Sequence, residues 1–369
     1  MKVALVCDWL TSVGGAERVL LSLHHLYPDA PIYTSQYNKK KINWFDDADV
    51  RTGWLQIFPA CLRRFLGPLR QSYFSHLDLS EYDLIISVTG AEAKSIKKGT
   101  ATHICYCHVP TQYYWQLFDE YVKNPGFGFL NPLVRFFFKL FVGPLRKADY
   151  KAAQKPDYFI TISSYAQGLI KKYYGKESTI IYPPVDVEKF SVENSQGIKS
   201  SKKYNMIITS RQVNWKRIDL AIKACLATNW PLTIIGEGPE HDRLVKLANH
   251  SPLITFKPLM SQDELKKELA MAKAYIFPSL EPFGIAPVEA LAAGCPVIAY
   301  GKGGAIDYVM DGENGLLFGR QTVASLVSAL KKIEKKQLDT KKIVASAEPF
   351  DEKYFKLKIK KFINVTVKK

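Results

Sequence analysis

Cysteine is scarce in this sequence, and the few cysteines present do not form a recognisable binding pattern. The six lie far apart, at positions 7, 61, 105, 107, 225 and 295. They form no Cys-x-x-Cys pair, and no histidine cluster accompanies them at metal-ligand spacing. This scatter argues against a zinc site or a disulfide framework and favours buried free thiols in a reducing compartment.

Long apolar runs are also missing. No uncharged run approaches the roughly 20 apolar residues that a membrane-spanning helix needs. The first predicted strand begins at residue 2, without a charged and then apolar leader. We therefore expect a cytoplasmic protein that is not integral to a membrane.

Acidic residues are sparse relative to basic ones, and the formal net charge is +16. Half of this excess lies in residues 331–369, where thirteen lysines face five acidic residues in what we interpret as a solvated helical face. The segments 50–77 and 125–147 contain no acidic residue at all. Both mix cations with large apolar side chains: Arg51, Arg63, Arg64 and Arg70 with Trp54, Phe58, Leu62, Phe65, Leu66 and Leu69, and Arg135, Lys139, Arg146 and Lys147 with Phe127, Phe129, Phe136, Phe137, Phe138 and Phe141.

Basic segments with aromatic faces suit an anionic membrane surface, where apolar side chains insert and cations meet lipid head groups. The same faces could equally pack into the first domain. Nucleic acid is a poorer candidate because no recognised binding module is present. The charge pattern thus predicts a protein that is peripheral at the inner face of the cell membrane, or two ordinary packed segments.

The length of 369 residues predicts two domains. Short apolar runs alternate with helical stretches in both halves, which predicts an α/β fold with mainly parallel sheets. The predicted strands are Val3 to Cys7, Ile32 to Thr34, Leu84 to Val88, His103 to Cys107, Tyr158 to Ile162 and Thr179 to Tyr182, then Met206 to Thr209, Leu232 to Ile235, Leu253 to Phe256, Tyr275 to Phe277 and Val297 to Ala299. Between the halves, the polar stretch Ser191 to Lys203 is typical of a linker.

Two carboxylates eight residues apart stand out in Glu281-Pro-Phe-Gly-Ile-Ala-Pro-Val-Glu289. An apolar run precedes them, and Ala286 to Ala293 is a predicted helix with Pro287 in its first turn. Glu281 is then placed where a buried strand ends, and Glu289 within the helix. Ligands bind at this end of parallel strands because helix N-termini and backbone N–H groups converge there.

Other polar residues occupy similar positions. Gly14 and Gly15 precede a helix, where small residues allow a phosphate to approach backbone N–H groups, although a plain tight turn explains them equally well. Arg211 and Lys216 follow a predicted strand, and two cations there suit a diphosphate or, alternatively, ordinary surface charge. His108 follows another strand, either as a structural residue or as a group suited to sugar recognition.

In their order and spacing these motifs resemble glycosyltransferase family 4, the retaining transferases that use nucleotide sugars. The resemblance covers most of the chain. The motifs that carry it are Met1-Lys-Val-Ala-Leu-Val-Cys-Asp8, Gly14-Gly-Ala-Glu17, Tyr182-Pro-Pro-Val-Asp186, Ser210-Arg211, Lys216-Arg217, Ile235-Gly-Glu-Gly-Pro239, Glu281 to Glu289, Gly303-Gly304 and Asn314-Gly-Leu-Leu-Phe318.

The resemblance implies the GT-B fold, in which two Rossmann-like domains place parallel sheets around a central cleft. It implies an acceptor-side domain over residues 1–195 and a nucleotide-sugar domain over 203–345. It further implies a C-terminal crossover helix within 346–369 that packs on the first domain. Asp351 to Ile363 looks able to form that helix.

Roles for site residues also follow from the resemblance. Glu281 matches a residue that contacts the transferred sugar, and Glu289 one that holds ribose hydroxyls. Arg211 and Lys216 match cations that neutralise the leaving diphosphate, so that no metal is required; Asp46-Asp47 is interpreted as a solvated turn rather than a metal site. The remaining implied donor contacts are Gly14, Gly15, Glu237 near the base, and the backbone N–H groups of Phe283, Gly284 and Ile285.

The pattern of His108, Pro110 and the aromatic residues after them is similar to that of bacterial polysaccharide mannosyltransferases, which use GDP-mannose. The expectation is a retaining, metal-independent transferase that moves a hexose, foremost mannose, to a lipid-linked or growing glycan. The alternatives are a UDP-sugar-dependent transferase of the same family, a nucleotide-sugar epimerase, and a non-catalytic protein that binds sugar nucleotides.

Overall fold

The computed structural model of the chain describes residues 1–59, 66–123, 128–191 and 204–367. It divides into two compact units. Unit 1 comprises Met1–Pro183 and Phe355–Lys369, and unit 2 comprises Pro184–Tyr354. The sequence placed the boundary in the polar stretch before Tyr204, of which residues 192–203 lie outside the described residues.

Unit 1 is built on a parallel sheet of seven strands within the described residues, in the order β3-β2-β1-β4-β5-β6-β7. The strands are β1 (Val3–Cys7), β2 (Ile32–Thr34), β3 (Val50–Thr52), β4 (Leu84–Thr89), β5 (Thr102–Cys107), β6 (Tyr158–Thr161) and β7 (Thr179–Ile180). The helices are α1 (Gly15–Leu26), α2 (Gly67–His76), α3 (Phe118–Lys123), α4 (Asn131–Ala152) and α5 (Ser164–Tyr174). The central strand β4 is buried along its whole length and β5 from its second residue onward, which explains their continuous apolar runs.

Unit 2 has a parallel sheet of six strands within its described part, in the order β10-β9-β8-β11-β12-β13. The strands are β8 (Met206–Thr209), β9 (Leu232–Ile235), β10 (Ile254–Lys257), β11 (Ala274–Phe277), β12 (Val297–Tyr300) and β13 (Gly315–Phe318). The helices are α6 (Val187–Phe190), α7 (Ile218–Thr228), α8 (His241–Ala248), α9 (Gln262–Met271), α10 (Ile285–Ala292), α11 (Val323–Lys335) and α12 (Thr340–Ala347).

The last helix, α13 (Glu352–Thr366), carries the chain from unit 2 back into unit 1. Its buried residues Phe355, Ile359 and Ile363 repeat every four positions and so form one apolar face. Phe355 meets Tyr106 of β5 edge to face, with ring centroids 5.9 Å apart. The two parallel-sheet, Rossmann-like domains expected from the sequence are therefore confirmed, together with a C-terminal helix that joins the first.

Sequence patterning located eleven of these strands and missed the edge strands β3 and β13. β3 is three residues long and its side chains are half-buried or exposed, so it carries no apolar run. Residues 315–318 were quoted only as part of a family motif, and Gly315 gives them no strand signal. The Cα of Gly315 pairs with Val297, and a Cβ there would lie 2.1 Å from the Val297 carbonyl oxygen. Glycine is thus required for the strand to approach β12.

Unit 1 also buries charge. The Arg70 guanidinium donates to Glu92 at 2.9 Å, and both side chains are almost fully buried. In segment 50–77 the side chains of Leu55, Leu66 and Phe74 are buried in the core, whereas those of Trp54, Ile57 and Leu69 are exposed. Residues 60–65, which include Arg63, Arg64, Leu62 and Phe65, and residues 124–127, which include Phe127, lie outside the described residues.

Candidate active site

A small cavity of about 60 Å³ lies in unit 2, where strands β8 and β11 end. Thr209 and Lys216 line it after β8, and Glu281 and Ile285 line it after β11. Tyr275 of β11 forms part of its wall. The cavity therefore lies at the carboxyl edge of a parallel sheet, which is where open α/β sheets bind ligands.

Glu281 is the most engaged polar residue in this cavity. Its Oε2 forms an ion pair with Lys216 Nζ at 2.5 Å, and its Oε1 accepts a hydrogen bond from Ser279 Oγ at 2.5 Å. The side chains of Glu281 and Lys216 are 18% and 23% exposed, so a ligand can still reach the pair. Partial burial makes this pair stronger than one on the open surface.

The loop that carries Glu281 is held by close backbone contacts. Gly304 N donates to Glu281 O at 2.8 Å, and a Cβ on Gly304 would lie 2.3 Å from Pro282 O. On the other side, Tyr308 Oη donates to Phe283 O at 2.8 Å. These contacts explain why two consecutive glycines occur far along the chain from Glu281: they let one loop lie directly against another.

Gly284 directs the chain from this loop into α10. Its φ of +98° lies in the region that favours glycine, and a Cβ there would lie 2.6 Å from Phe277 Cζ. Helix α10 then begins at Ile285 and has Pro287 in its first turn, close to the predicted start. Glu289, one turn further on, is buried with 5% of its surface exposed.

Tyr275 experiences the negative charge of this site. Its hydroxyl donates to Thr209 O at 2.9 Å, which joins the ends of β11 and β8. Burial raises the pKa of Tyr275, and the carboxylates of Glu281 and Glu289 raise it further. Both carboxylates thus act on the same buried hydroxyl, which keeps its proton.

A second loop at this edge is organised by Gln212, which sequence reasoning missed. Its buried side chain donates from Nε2 to Gly236 O at 2.5 Å, and its Oε1 accepts from His241 Nδ1 at 2.9 Å. Its backbone N–H donates to Glu237 O at 2.8 Å. The side chains of Arg211 and Glu237, on either side, are exposed. The signal available in the sequence was an amide residue, Gln212, directly after Arg211 at the end of a strand.

In unit 1, Gly14 and Gly15 do begin a helix, with Gly14 as the N-cap of α1. A Cβ on Gly14 would lie 2.9 Å from Glu17 Oε2, and Glu17 is buried. A carboxylate therefore already lies beside the first turn, where helix N-termini favour negative charge. The phosphate contact of these glycines stays a prediction.

His108 follows β5 in unit 1. Its backbone N–H donates to Thr89 O at 2.9 Å, and its ring meets Tyr106 edge to face at 5.5 Å. Nε2 is buried and has no hydrogen-bond partner among the described residues. Burial lowers the pKa of His108 to about 4, so the imidazole is neutral near pH 7.

The structure thus brings only some of the predicted site residues together. Lys216, Glu281, Gly284 and Ile285 line one cavity. The side chain of Phe283 instead packs inward, against Tyr308 and Phe350, so that any donor contact would come from its backbone. Gly14, Gly15 and His108 belong to the other unit. Ser279 and Tyr308 were missed; the first lies two residues before Glu281 and the second four residues after Gly304.

No group of three or more His, Cys, Asp or Glu side chains in the described ranges is arranged to hold a metal ion. Asp46 and Asp47, interpreted above as a solvated turn, lie near Lys39 at 3.4 Å and His24 at 3.4 Å, respectively. The five cysteines that the structure describes are buried thiols. Metal independence stays a prediction.

Residues 191–349, which include this cavity, match the family model described as "Glycosyl transferases group 1". Over the whole chain, the fold is similar to the crystal structure of Anabaena Alr3699/HepE in complex with UDP. The TM-score is 0.70 at 19% identity, and the match covers 99% of this chain and 100% of that one. The whole chain thus has the GT-B fold expected from the sequence, and residues 191–349 resemble the group 1 glycosyltransferases.

Its curated relatives include mannosyltransferases. The chain is 28% identical to the GDP-mannose-dependent alpha-(1-6)-phosphatidylinositol monomannoside mannosyltransferase of Mycobacterium tuberculosis, across 46% of this chain and 50% of that protein. It is 24% identical to the alpha-1,3/1,6-mannosyltransferase alg2 of Schizosaccharomyces pombe, across 86% of this chain and 70% of that protein. The match to the mycobacterial relative thus spans only about half of that protein's length.

Proposed function

We propose that this protein transfers mannose from GDP-mannose, with retention of configuration, to a lipid-linked or growing glycan in cell-surface polysaccharide synthesis. The observation that carries the proposal is the Lys216–Glu281 ion pair of 2.5 Å in the cavity at the carboxyl edge of the unit 2 sheet. A cation and a carboxylate in one partly exposed cavity can bind the two ends of a sugar diphosphate.

The leaving diphosphate is assigned to Lys216 and Arg211. Negative charge grows on the phosphate oxygen as the sugar bond breaks, so cations placed there stabilise the transition state. The Arg211 side chain is exposed, and within the described residues no hydrogen bond or ion pair engages it, which leaves its guanidinium available for a bidentate phosphate contact. Two such cations would take the role that a metal ion has in other transferases.

Glu281 is assigned to bind the transferred sugar rather than to attack it. Both of its carboxylate oxygens already accept hydrogen bonds, from Ser279 and from Lys216, and a carboxylate held in this way is a weakened nucleophile. In the proposed step, the acceptor hydroxyl oxygen bonds to the anomeric carbon on the face that the phosphate leaves. The hydroxyl proton passes to the departing phosphate oxygen. Glu289, buried in α10, is assigned to the ribose hydroxyls.

The donor assignment is supported by the two mannosyltransferase relatives, of which the mycobacterial one is named for GDP-mannose. It is also supported by His108 with the aromatic residues after it. A UDP-sugar remains the alternative donor, so the test must compare the bases directly.

Release of nucleotide is the direct test. GDP- and UDP-sugars are each incubated with the protein, EDTA and a detergent-solubilised membrane glycolipid extract. We expect GDP release from GDP-mannose that depends on the extract and falls at least 100-fold in Glu281→Ala and Lys216→Ala, since each removes transition-state contacts. The matched controls are Lys331→Ala and Glu334→Ala, two exposed residues of α11 that should retain full rates.

Release from a UDP-sugar alone would overturn the donor assignment and keep the transferase. Full activity in Glu281→Ala would show that the cavity is not the catalytic site. An epimerase would convert the sugar nucleotide without releasing GDP. A binding protein would neither convert the sugar nucleotide nor release GDP.

A further inference from the structure

Helix α4 of unit 1 carries an apolar surface that the described residues leave uncovered. The side chains of Phe136, Leu140 and Phe141 are 63%, 57% and 51% exposed, and those of Leu133 and Phe137 are exposed as well. Spacings of three and four residues place all five on one face of the helix. We call these five residues the outer face of α4.

The exposed charges of α4 itself have one sign, whereas the neighbouring α3 carries the exposed acidic residues Asp119 and Glu120. Lys139 is exposed at its flank, and Lys147 and Lys151 continue the same face towards the C-terminal end of the helix. The only acidic residue of α4 is Asp149, which is buried. An apolar strip that is followed by lysines is the pattern of helices that lie in a membrane interface with anionic lipid.

The opposite side of the helix fixes its orientation. Asp149 accepts hydrogen bonds from Lys94 Nζ at 2.6 Å, Trp115 Nε1 at 2.7 Å and Tyr174 Oη at 2.8 Å. One turn earlier, Arg146 Nε donates to Tyr114 O at 2.6 Å. Breaking such buried charged contacts is costly, so α4 is held with its phenylalanines directed outward.

No helix in the described part of the chain is long and apolar enough to cross a membrane. The outer face can therefore insert only to the depth of the headgroup and upper acyl region. A second copy of the chain fits the face less well. It would bring its own lysines to the interface and, in α4, no exposed carboxylate to pair with them.

We propose that α4 is an interfacial helix that docks unit 1 on an anionic membrane surface, with the outer face inserted and Lys139, Lys147 and Lys151 against lipid phosphates. This inference rests on the proposed function, because the membrane matters to a transferase whose acceptor is lipid-linked. It adds the surface from which that acceptor would be taken. Binding itself is independent of the donor.

The test is flotation of the full chain with vesicles, in the absence of donor. Vesicles of phosphatidylcholine with about 30% phosphatidylglycerol should bind the protein, and pure phosphatidylcholine should bind it more weakly because each cation near an anionic surface favours binding roughly fivefold. The triple variant Phe136→Ser, Phe137→Ser and Phe141→Ser should lose at least tenfold in affinity. Lys139→Glu with Lys147→Glu should lose binding to anionic vesicles selectively.

The matched control replaces exposed apolar residues elsewhere, Leu259→Ser with Met271→Ser, and should bind as the unaltered protein does. Unchanged binding of the triple variant would overturn the proposal. A failure of the unaltered protein to bind vesicles would also overturn the proposal. This holds even if the unaltered protein forms a dimer that the triple variant does not form. Because the replaced residues are exposed, thermal unfolding should be unchanged, which separates lost binding from lost folding.

The two proposals fail separately. The triple variant should release GDP at the normal rate with detergent-solubilised acceptor, where no membrane is required, and more slowly with acceptor embedded in vesicles. Normal vesicle binding without any sugar transfer would leave the membrane helix standing and contradict the proposed function.

Discussion

Burial determines the protonation state of the His108 imidazole. The ring packs against Tyr106, and its buried Nε2 has no partner within the described residues. Water is excluded from this nitrogen, so the charged form is disfavoured and the pKa falls from its ordinary value of 6.5 to about 4. At neutral pH His108 can therefore offer one donor and one acceptor, but no positive charge.

The lowered pKa predicts how stability changes with pH. Between about pH 6.5 and pH 4 the unfolded chain binds a proton at His108 that the folded chain does not, so stability falls as the pH falls through this window. We expect His108→Gln to show a smaller loss of stability between pH 7 and pH 5 in urea titrations. NMR should show the His108 ring titrating well below pH 6.5; titration near 6.5 would contradict this account.

At the scale of elements, the junction of β11 and α10 requires a backbone conformation that favours glycine. The chain must pass Phe277 and Tyr308 at Gly284, with φ at +98°. Residues other than glycine rarely adopt this backbone conformation, because it costs them about 1–3 kcal/mol. The passage from the Glu281 loop into α10 therefore requires a residue without a Cβ at position 284.

Gly284→Ala should lower the free energy of unfolding by about 2 kcal/mol or more. It should also reduce the rate of GDP release, because Glu281 is displaced. The matched control is Gly168→Ala in the middle of α5, where a Cβ would meet nothing within 4 Å. That change should stabilise the protein by about 0.5–1 kcal/mol, the helix propensity difference. Urea unfolding measures both; a tolerated Gly284→Ala would show that the loop can relax.

At the scale of the whole molecule, the chain leaves unit 1 after Pro183 and re-enters it at Phe355. This return is secured by apolar contacts of α13 within unit 1. Phe355 is 2% exposed against Tyr106, and Phe362 meets Tyr158 edge to face with centroids 6.1 Å apart. Helix α13 thus packs against β5 and β6 of unit 1.

Phe355→Ala should destabilise unit 1 by about 3–5 kcal/mol, because it removes a buried ring and leaves a cavity. Leu357→Ala, on the same helix but 63% exposed, should change stability by less than about 0.5 kcal/mol. Chemical denaturation followed by tryptophan fluorescence compares the two. Equal effects would mean that α13 is not packed through Phe355.

Much of the fold was predictable because parallel strands are buried on both faces. Their apolar runs, such as residues 84–89 and 274–277, are visible in the sequence without any knowledge of neighbours. The edge strands β3 and β13 were not predictable in this way, since β3 is half-exposed and β13 begins with glycine. Glu281 and Lys216 were named in advance, whereas Ser279, Gln212 and Tyr308 acquire their contacts only when separate loops meet.

The sequence by itself determined the α/β class, the positions of the central strands and the residue types available at their carboxyl ends. These depend on local patterns, namely burial periodicity and glycine or proline at turns. The tertiary structure alone decided which cations are used internally. Arg70 lies in a buried ion pair with Glu92, while Lys139 and Lys147 face outward beside exposed phenylalanines. The two basic segments look alike in sequence. They differ in the structure because burial depends on residues far away in the chain.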